Sequence, residues 1–359
     1  GQFGSIYASA TIFSSLLLIW VGKNIDDYRI LNYSLFVVIL LFTSSLFFSF
    51  INSIYFLAIG IFLMRFSGQG LMSHTSTTTI SRFFERSRGK ALSTIWLGLS
   101  TAEFILPVMI TYFFLIYSWR TVWQGIAILI ILLLPFVIIN TIKSVNLDSR
   151  EIDFNSKNKK TKIKSWRRRD VIKDYRFYIV SLNMLAMPWL ATGTFVYQSF
   201  ISDSKMWTIY TIPKAFMVYS ITSIATLFLS GFLVDKFTGR KLILFMNIPL
   251  LLAMYVLFKF NHEIFAYIFL GLVGISNGLA NVLGSSTWAE IYGVKHIGSI
   301  KALTTALMVF STAFGTALFG FLIDQGFSIE QIALVSFVYI FISIILLLFV
   351  RNKLNPKFI

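Results

Sequence analysis

Apolar runs of about 20 residues recur along the whole chain, and a run of that length crosses the hydrocarbon core of a bilayer as one α-helix. The runs 126–139 and 340–350 do not alternate apolar and polar residues, which excludes a transmembrane β-barrel. Of the 359 residues, 57% are hydrophobic and 13% are charged, whereas a soluble domain carries about 25% charged residues. We therefore predict an all-α, polytopic membrane protein.

Eleven membrane spans follow from these runs. Their predicted bounds lie near 4–21, 31–50, 54–79, 91–117, 122–142, 177–200, 211–234, 242–260, 264–288, 298–322 and 331–350. One set of connections between the spans holds 26 of the 31 Lys and Arg residues. Because basic connections stay on the cytoplasmic side, we expect an integral protein of the plasma (inner) membrane with a cytoplasmic C-terminus. This placement accounts for the net charge of +16 without a nucleic-acid partner.

The stretch 143–176 is the one long polar segment of the sequence. We predict an N-terminal transmembrane bundle over 1–142, a basic cytoplasmic linker over 143–176 and a C-terminal transmembrane bundle over 177–359. The linker is expected to be solvated, which is compatible with contact to anionic lipid head groups. Membrane lipids are the expected surroundings of the bundles, and the expected oligomeric state is a monomer.

Two pairs of landmarks repeat along the chain at one offset of 209 residues. They are the Gly-x-x-x-Asp motifs that close the first and seventh spans and the glycines that open the fourth and tenth spans, namely Gly22 with Asp26, Gly231 with Asp235, Gly89 and Gly298. Because both pairs share the offset, we infer two duplicated halves. The same offset, applied to the start of the second bundle, places about 30 residues, one helix, before the first residue of this sequence.

The second-half motif reads Gly-Phe-Leu-Val-Asp-Lys-Phe-Thr-Gly-Arg-Lys over 231–241, which includes Asp235, Gly239 and Arg240. It is similar to the Gly-x-x-x-Asp-Arg-x-Gly-Arg-Arg signature of the major facilitator superfamily of secondary transporters. The first-half copy keeps Gly22, Asp26 and Arg29 but lacks the Gly-Arg-Lys end. The segments 83–91 and 118–120 also resemble connections of that superfamily.

This resemblance implies a fold of two six-helix bundles, with the first helix of the first bundle missing here, that moves its substrate by alternating access. The signature residues are then expected to form gates at the cytoplasmic side. By the symmetry of the halves, Asp26 should approach the helix that opens at Gly298, and Asp235 the one that opens at Gly89. Arg29, Arg240 and nearby basic residues are expected to hold these carboxylates.

The predicted function is secondary active transport of a small solute, coupled to protons, with an organic anion such as a monocarboxylate as the substrate. The sequence contains neither a nucleotide-phosphate loop nor a catalytic motif, so we expect no enzyme activity and no cofactor or metal. Three alternatives remain open at this point. They are an exporter of a neutral or cationic solute on the same scaffold, a non-transporting membrane sensor or enzyme, and a channel.

Arg65 and Glu103 are the candidate substrate and proton residues, because ionisable groups at membrane depth are costly and are therefore functional by default. Arg65 lies about 17 Å into its span from the outer face, and Glu103 lies about 20 Å into the next span from the inner face. We expect the two side chains to face each other, so that an anionic substrate competes with Glu103 for Arg65, and protonation of Glu103 frees the arginine and couples proton and anion entry. A purely structural ion pair is the alternative.

Two further interpretations concern polar residues within spans. Asn277 and Asn281 are four residues apart and form a polar stripe on one helix face, for substrate contact or for helix packing. His74 is placed near the cytoplasmic boundary, on the helix face opposite to Arg65, since nine residues turn an α-helix through about 900°, and it is interpreted as interfacial and not as a proton site.

Overall fold

The computed structural model describes residues 2–145, 165–208 and 210–355, and the side chains of residues 2–5, 103, 104, 107, 108 and 111 lie outside this description. Within these ranges the chain forms helices joined by short turns and contains no β-strand. Ten helical stretches are long and apolar enough to cross a membrane. The predicted all-α, polytopic membrane fold is therefore confirmed.

Within residues 2–145, the first half contains one change of helix type in the middle of a membrane span. Its elements are α1 (Gln2–Val21), a 3₁₀ turn (Gly22–Asp26), α2 (Ile30–Ser49), α3 (Ile54–Met64), a π-helical segment (Arg65–Met72), α4 (Ser73–Phe83), α5 (Arg88–Ile116) and α6 (Trp119–Ser144). The π-helical segment joins α3 and α4 into one continuous stretch of 30 residues. The predicted end of that span, at residue 79, is four residues too early.

The second half repeats the series and adds short helices at its ends. Its elements are α7 (Arg168–Ile172), α8 (Tyr175–Val196), α9 (Gln198–Ser204), α10 (Thr211–Phe237), α11 (Gly239–Met246), α12 (Ile248–Lys259), α13 (Ile264–Tyr292), α14 (Ile297–Asp324), α15 (Ile329–Val350) and a 3₁₀ turn (Arg351–Lys353). α11 and α12 form one span that breaks at Asn247. Pro249 lies in the first turn of α12, where a missing N–H costs least.

The offset of 209 residues reappears in the helix bounds. Shifted by 209, Ile30–Ser49 becomes 239–258, and the second half has a span at Gly239–Lys259. Arg88–Ile116 becomes 297–325, beside the observed Ile297–Asp324. The two halves therefore repeat one series of helices, as a duplication requires.

The halves meet along two pairs of helices, since α1 packs against α14 and α5 packs against α10. In each pair, one helix leads into or contains a Gly-x-x-x-Asp motif and the other begins beside it. We call this end of the molecule, which holds the turn Gly22–Asp26, α7 and the turn Arg351–Lys353, the basic end. The turn between α2 and α3 and the helix α9 lie at the opposite end.

The described part of the predicted linker docks at the basic end. Trp166 is buried, and its backbone N–H donates to the carbonyl oxygen of Tyr292 at 3.0 Å. Arg168 reaches the other half, where its Nη1 donates to the carbonyl oxygen of Ile19 at 2.8 Å. This part of the segment is thus docked through Trp166 and Arg168, whereas Arg167, Arg169 and Asp170 are exposed, and residues 146–164 of the predicted linker lie outside the described residues.

At the opposite end, a buried lysine joins three connections of the second half. The Lys205 ammonium, whose side chain is 0% exposed, lies 2.7 Å from Glu330 Oε1 and donates to Asn261 Oδ1 at 2.7 Å. The Trp207 indole N–H donates to the carbonyl oxygen of Asn261 at 2.6 Å. These contacts tie α9 to the turn before α13 and to the start of α15.

Replacing this lysine tests whether the clamp stabilises the second half. Lys205→Met removes an ion pair and a charged hydrogen bond, and hydrogen bonds of charged groups contribute about 1.5–3 kcal/mol each. We expect a lower melting temperature of the purified protein in detergent. Lys214→Met, at an exposed lysine of α10, is the matched control. Equal melting of the two variants would show that the clamp adds no stability.

Candidate functional site

Asp26 connects the first half to the start of α14 at the basic end. Its carboxylate accepts hydrogen bonds from the backbone N–H of Gly298 at 2.9 Å, from that of Ser299 at 2.6 Å and from the Ser299 hydroxyl at 2.6 Å. Arg82 of α4 forms a buried salt bridge with the same carboxylate. Burial lowers the pKa of the neighbouring His296 imidazole. We call these contacts the first latch.

Asp235 forms the corresponding contact with the start of α5. Its Oδ1 accepts from the N–H of Gly89 at 2.7 Å, and its Oδ2 accepts from the N–H of Lys90 at 3.2 Å. In both latches a carboxylate meets free N–H groups at the positive end of a helix dipole. The predicted pairings of Asp26 with Gly298 and of Asp235 with Gly89 are therefore confirmed. We call the contacts of Asp235 the second latch.

Both latches depend on glycine at the helix start. A Cβ atom on Gly298 would lie 2.4 Å from Asp26 Oδ1, and a Cβ atom on Gly89 would lie 2.2 Å from the carbonyl oxygen of Gly231. Real side chains do not approach so closely. Each helix start therefore lies in close contact with the segment that carries the aspartate, and a larger residue would separate the two.

The expectation that Arg29 and Arg240 hold the aspartates is wrong for the described contacts. Arg29 is exposed and precedes α2 as its N-cap residue. Arg82 takes its place at Asp26, because α4 ends directly beside the turn Gly22–Asp26. Sequence reasoning assigned Arg82 only to a basic connection, since nothing in its spacing indicates a partner 56 residues away.

Gly239 and Arg240 instead bind a third carboxylate. The backbone N–H groups of these two residues donate to Glu290 at 2.8 and 3.0 Å. Glu290 therefore caps α11 from the end of α13, which fixes the signature loop of the second half against its own bundle. The sequence analysis did not single out this glutamate.

A cavity of about 340 Å³ lies between the two halves. The first half lines it with Gln69, Ser73, Thr77 and Trp96, and the second half lines it from α8, α10, α11, α13 and α14. Its volume is at the small end of the range for small-molecule sites. The cavity is thus shared by the halves and is suited to a small solute.

Lys301 is the one charged residue among the described residues that line this cavity. It is 2% exposed, and its ammonium donates to the Ser81 hydroxyl at 3.3 Å. No carboxylate among the described residues pairs with it. Arg88 is also close, since its Nε donates to the carbonyl oxygen of Ser81 at 3.2 Å. Lys301, which sequence reasoning counted as a residue of a basic connection, is therefore a cavity residue.

Arg65 lies further from the basic end, at the start of the π-helical segment. Its guanidinium donates to Gln69 Oε1 and stands 4.4 Å from the ring centroid of Tyr7. Gln69 lines the cavity, so the arginine is linked to the cavity through that amide. The side chain of Glu103 lies outside the described residues, and its pairing with Arg65 stays a prediction.

Asn277 and Asn281 both line the cavity from α13. The Asn277 amide also donates to the Ser223 hydroxyl at 3.0 Å, which joins α13 to α10. The two interpretations of this stripe, packing and contact with a solute, are thus compatible, and a role in substrate binding stays a prediction.

His74 lies near the basic end of its span, as predicted, but its side chain is buried and not interfacial. His74 is 0% exposed, and its Nε2 lies 2.8 Å from the carbonyl oxygen of Gly22. The count that placed it opposite Arg65 assumed a regular α-helix, whereas a π-helical segment lies between the two residues and turns less per residue. The histidine is a packed contact between α4 and the turn of the first latch.

Two duplicated halves, a cavity between them and latches at one end define an alternating-access transporter scaffold. The sequence model of the Major Facilitator Superfamily matches residues 1–213 and again residues 180–359. The chain therefore belongs to this superfamily, whose members are secondary transporters and not enzymes. A search of curated proteins finds no significant match.

The first latch can be tested by the access of a reagent to the cavity. The chain contains no cysteine, so a single Thr304→Cys exchange places one thiol in the cavity lining. We expect Asp26→Asn to speed labelling of this thiol from the basic end, because the carboxylate loses its salt bridge and presents an NH₂ group to other donors.

Asp27→Asn is the control for this experiment, because Asp27 is exposed and adjacent to the latch. Asp235→Asn should increase labelling less than Asp26→Asn, since its latch has only the two described backbone donors. If Asp26→Asn and Asp27→Asn label at the same rate from inside-out vesicles, the first latch does not close the basic end.

Proposed function

We propose that the protein transports a small organic anion by alternating access between its two halves. The observation that carries this proposal is Lys301, a buried ammonium in the cavity lining without a carboxylate partner among the described residues. A buried charge is costly unless an opposite charge approaches it. A negative group of the substrate would supply that charge.

The lining of the cavity favours an anion with an apolar body. Its described residues include Met184, Met187, Phe195 and Met308, and methionine adapts to irregular apolar shapes. A small monocarboxylate has one charged end for Lys301 and one apolar end for this surface. The hydroxyl and amide groups of the same cavity would suit a neutral solute, which is the second outcome that the experiment must separate.

The transport cycle follows from the latches. While both latches are closed, as in this structure, the helix starts of α5 and α14 are held to the opposite half. Breaking these charged contacts would let the halves separate at the basic end. The contacts would form again when that end closes. We place the basic end in the cytoplasm of a plasma (inner) membrane protein, because 25 of the 31 Lys and Arg residues, not counting the cavity residue Lys301, fall in or beside the sequence segments that connect the spans at that side.

Uptake into proteoliposomes tests the charge of the substrate. The panel consists of labelled formate, lactate and phenylacetate, with mannitol as a neutral solute and choline as a cationic one. We expect uptake of at least one monocarboxylate, and lower uptake by Lys301→Gln at substrate concentrations below the KM, because the amide cannot neutralise a carboxylate. Lys301→Arg should retain part of the uptake, since it keeps the positive charge.

Lys295→Gln is the matched control, because Lys295 is exposed and precedes α14 on the same connection. Unchanged uptake in this control would show that the loss is specific to the cavity. Uptake of mannitol or choline in place of the monocarboxylates, or equal activity of Lys301→Gln and the unmodified protein, would contradict the proposal.

We further propose that Glu103 carries the coupling proton. The support is its place at membrane depth in α5, where an ionised carboxylate is costly. Glu103→Gln should keep binding of the monocarboxylate but lose the acceleration of uptake by an inward proton gradient. Acceleration equal to that of the unmodified protein would assign the proton to another group.

A further inference from the structure

A row of polar side chains joins the two cations that approach the cavity. The row follows the π-helical segment and α4 in steps of four residues and consists of Arg65, Gln69, Ser73, Thr77 and Ser81. Arg65 donates to Gln69 at one end, and Lys301 donates to Ser81 at the other. The three residues between these ends, Gln69, Ser73 and Thr77, line the cavity. We call this row the polar track.

The π-helical segment explains why the track lies on one face. Sixteen residues separate Arg65 from Ser81, and at about 100° per residue an α-helix would leave them about 160° apart. A π-helix closes wider turns, at about 80° per residue. Its eight residues, Arg65–Met72, therefore remove about 160° of rotation and bring both ends of the track to the same side.

Because the two cations are far apart, a small anion cannot bind both at once. Arg65 is held at Gln69 and Lys301 at Ser81, and these partners are 12 residues apart, which corresponds to about 18 Å along the helix. Neither cation has a carboxylate partner among the described side chains. Each therefore offers a separate place for one negative group.

We propose that the polar track is the path of the substrate's carboxylate, with Arg65 as the station near the opposite end and Lys301 as the station near the basic end. This inference rests on the proposed transport of a small organic anion and deepens it. The hydroxyl of Thr77 lies between the stations and donates to the backbone oxygen of Ser73 at 2.8 Å. It can turn to the carboxylate while the anion passes.

The station at Lys301 is also connected to the first latch. Ser299, whose N–H and hydroxyl bind Asp26, is two residues before Lys301 in the first turns of α14. An anion at Lys301 therefore lies beneath the helix start that the latch holds. Arrival of the carboxylate at this station and release of the latch then involve the same turns of one helix.

The two stations can be tested separately by offering the substrate from one side of the membrane at a time. We would measure the KM for the monocarboxylate of the panel with the highest uptake, in right-side-out and in inside-out vesicles. Lys301→Gln should raise the KM about tenfold or more from the basic end only. Arg65→Gln should do so from the opposite end only, and Arg65→Lys should restore much of the affinity.

The track itself is tested by removing one hydroxyl. Thr77→Val should lower the maximal rate about tenfold in both directions, because a charge-assisted hydrogen bond is lost during passage. Thr77→Ser should restore the rate. Thr79→Val is the matched control, since Thr79 donates to the backbone oxygen of Thr75 at 2.7 Å in the same helix but does not line the cavity.

These outcomes separate the track from the function on which it rests. Equal rates of Thr77→Val and Thr79→Val, or an equal rise in KM from both sides for each cation variant, would overturn the track and leave anion transport standing. If the unmodified protein carries none of the three monocarboxylates, both proposals fail.

Discussion

The contact between a carboxylate and the free N–H groups of a helix start is the interaction on which the basic end depends. Asp26 and Asp235 each cross from one half to the other and bind the first turn of α14 or α5. Such a contact combines hydrogen bonds with the field of the helix dipole, and both require a close approach of the carboxylate to the helix start. The glycines at these positions permit that approach, so the motif sequence and the geometry of the closed end have one physical cause.

In the cavity beneath these latches, the group that needs a partner is basic. There the uncompensated charge is positive, on Lys301, and no described carboxylate neutralises it. In hydrocarbon and in a dry protein interior such a charge attracts any available anion. Under the proposed function, the negative group of the substrate would complete this site. The first latch and Lys301 both involve α14, so the proposal links the state of the closed end to the occupancy of the cavity.

Much of this architecture could be predicted from the sequence. Membrane thickness sets the length of the apolar runs, and duplication repeats the same motifs at a fixed offset. The shared offset of 209 residues predicted which aspartate meets which helix, and the structure confirms both pairings. The role of Lys301 could not be predicted, since a lysine five residues into a helix after a basic turn is indistinguishable from a topological charge. The π-helical segment was likewise hidden, because a change of turn leaves no signature in composition. For that reason His74 was predicted on the helix face opposite to Arg65.

The central claim is that the cavity between the halves binds a negative group. The most direct test is the melting temperature of the purified protein with benzoate, benzyl alcohol and benzylamine, three ligands of one shape and different charge. A ligand that binds only the folded state raises that temperature. The account predicts that benzoate raises it more than the other two ligands, and that Lys301→Gln removes the difference. A larger rise with benzylamine or benzyl alcohol would contradict it.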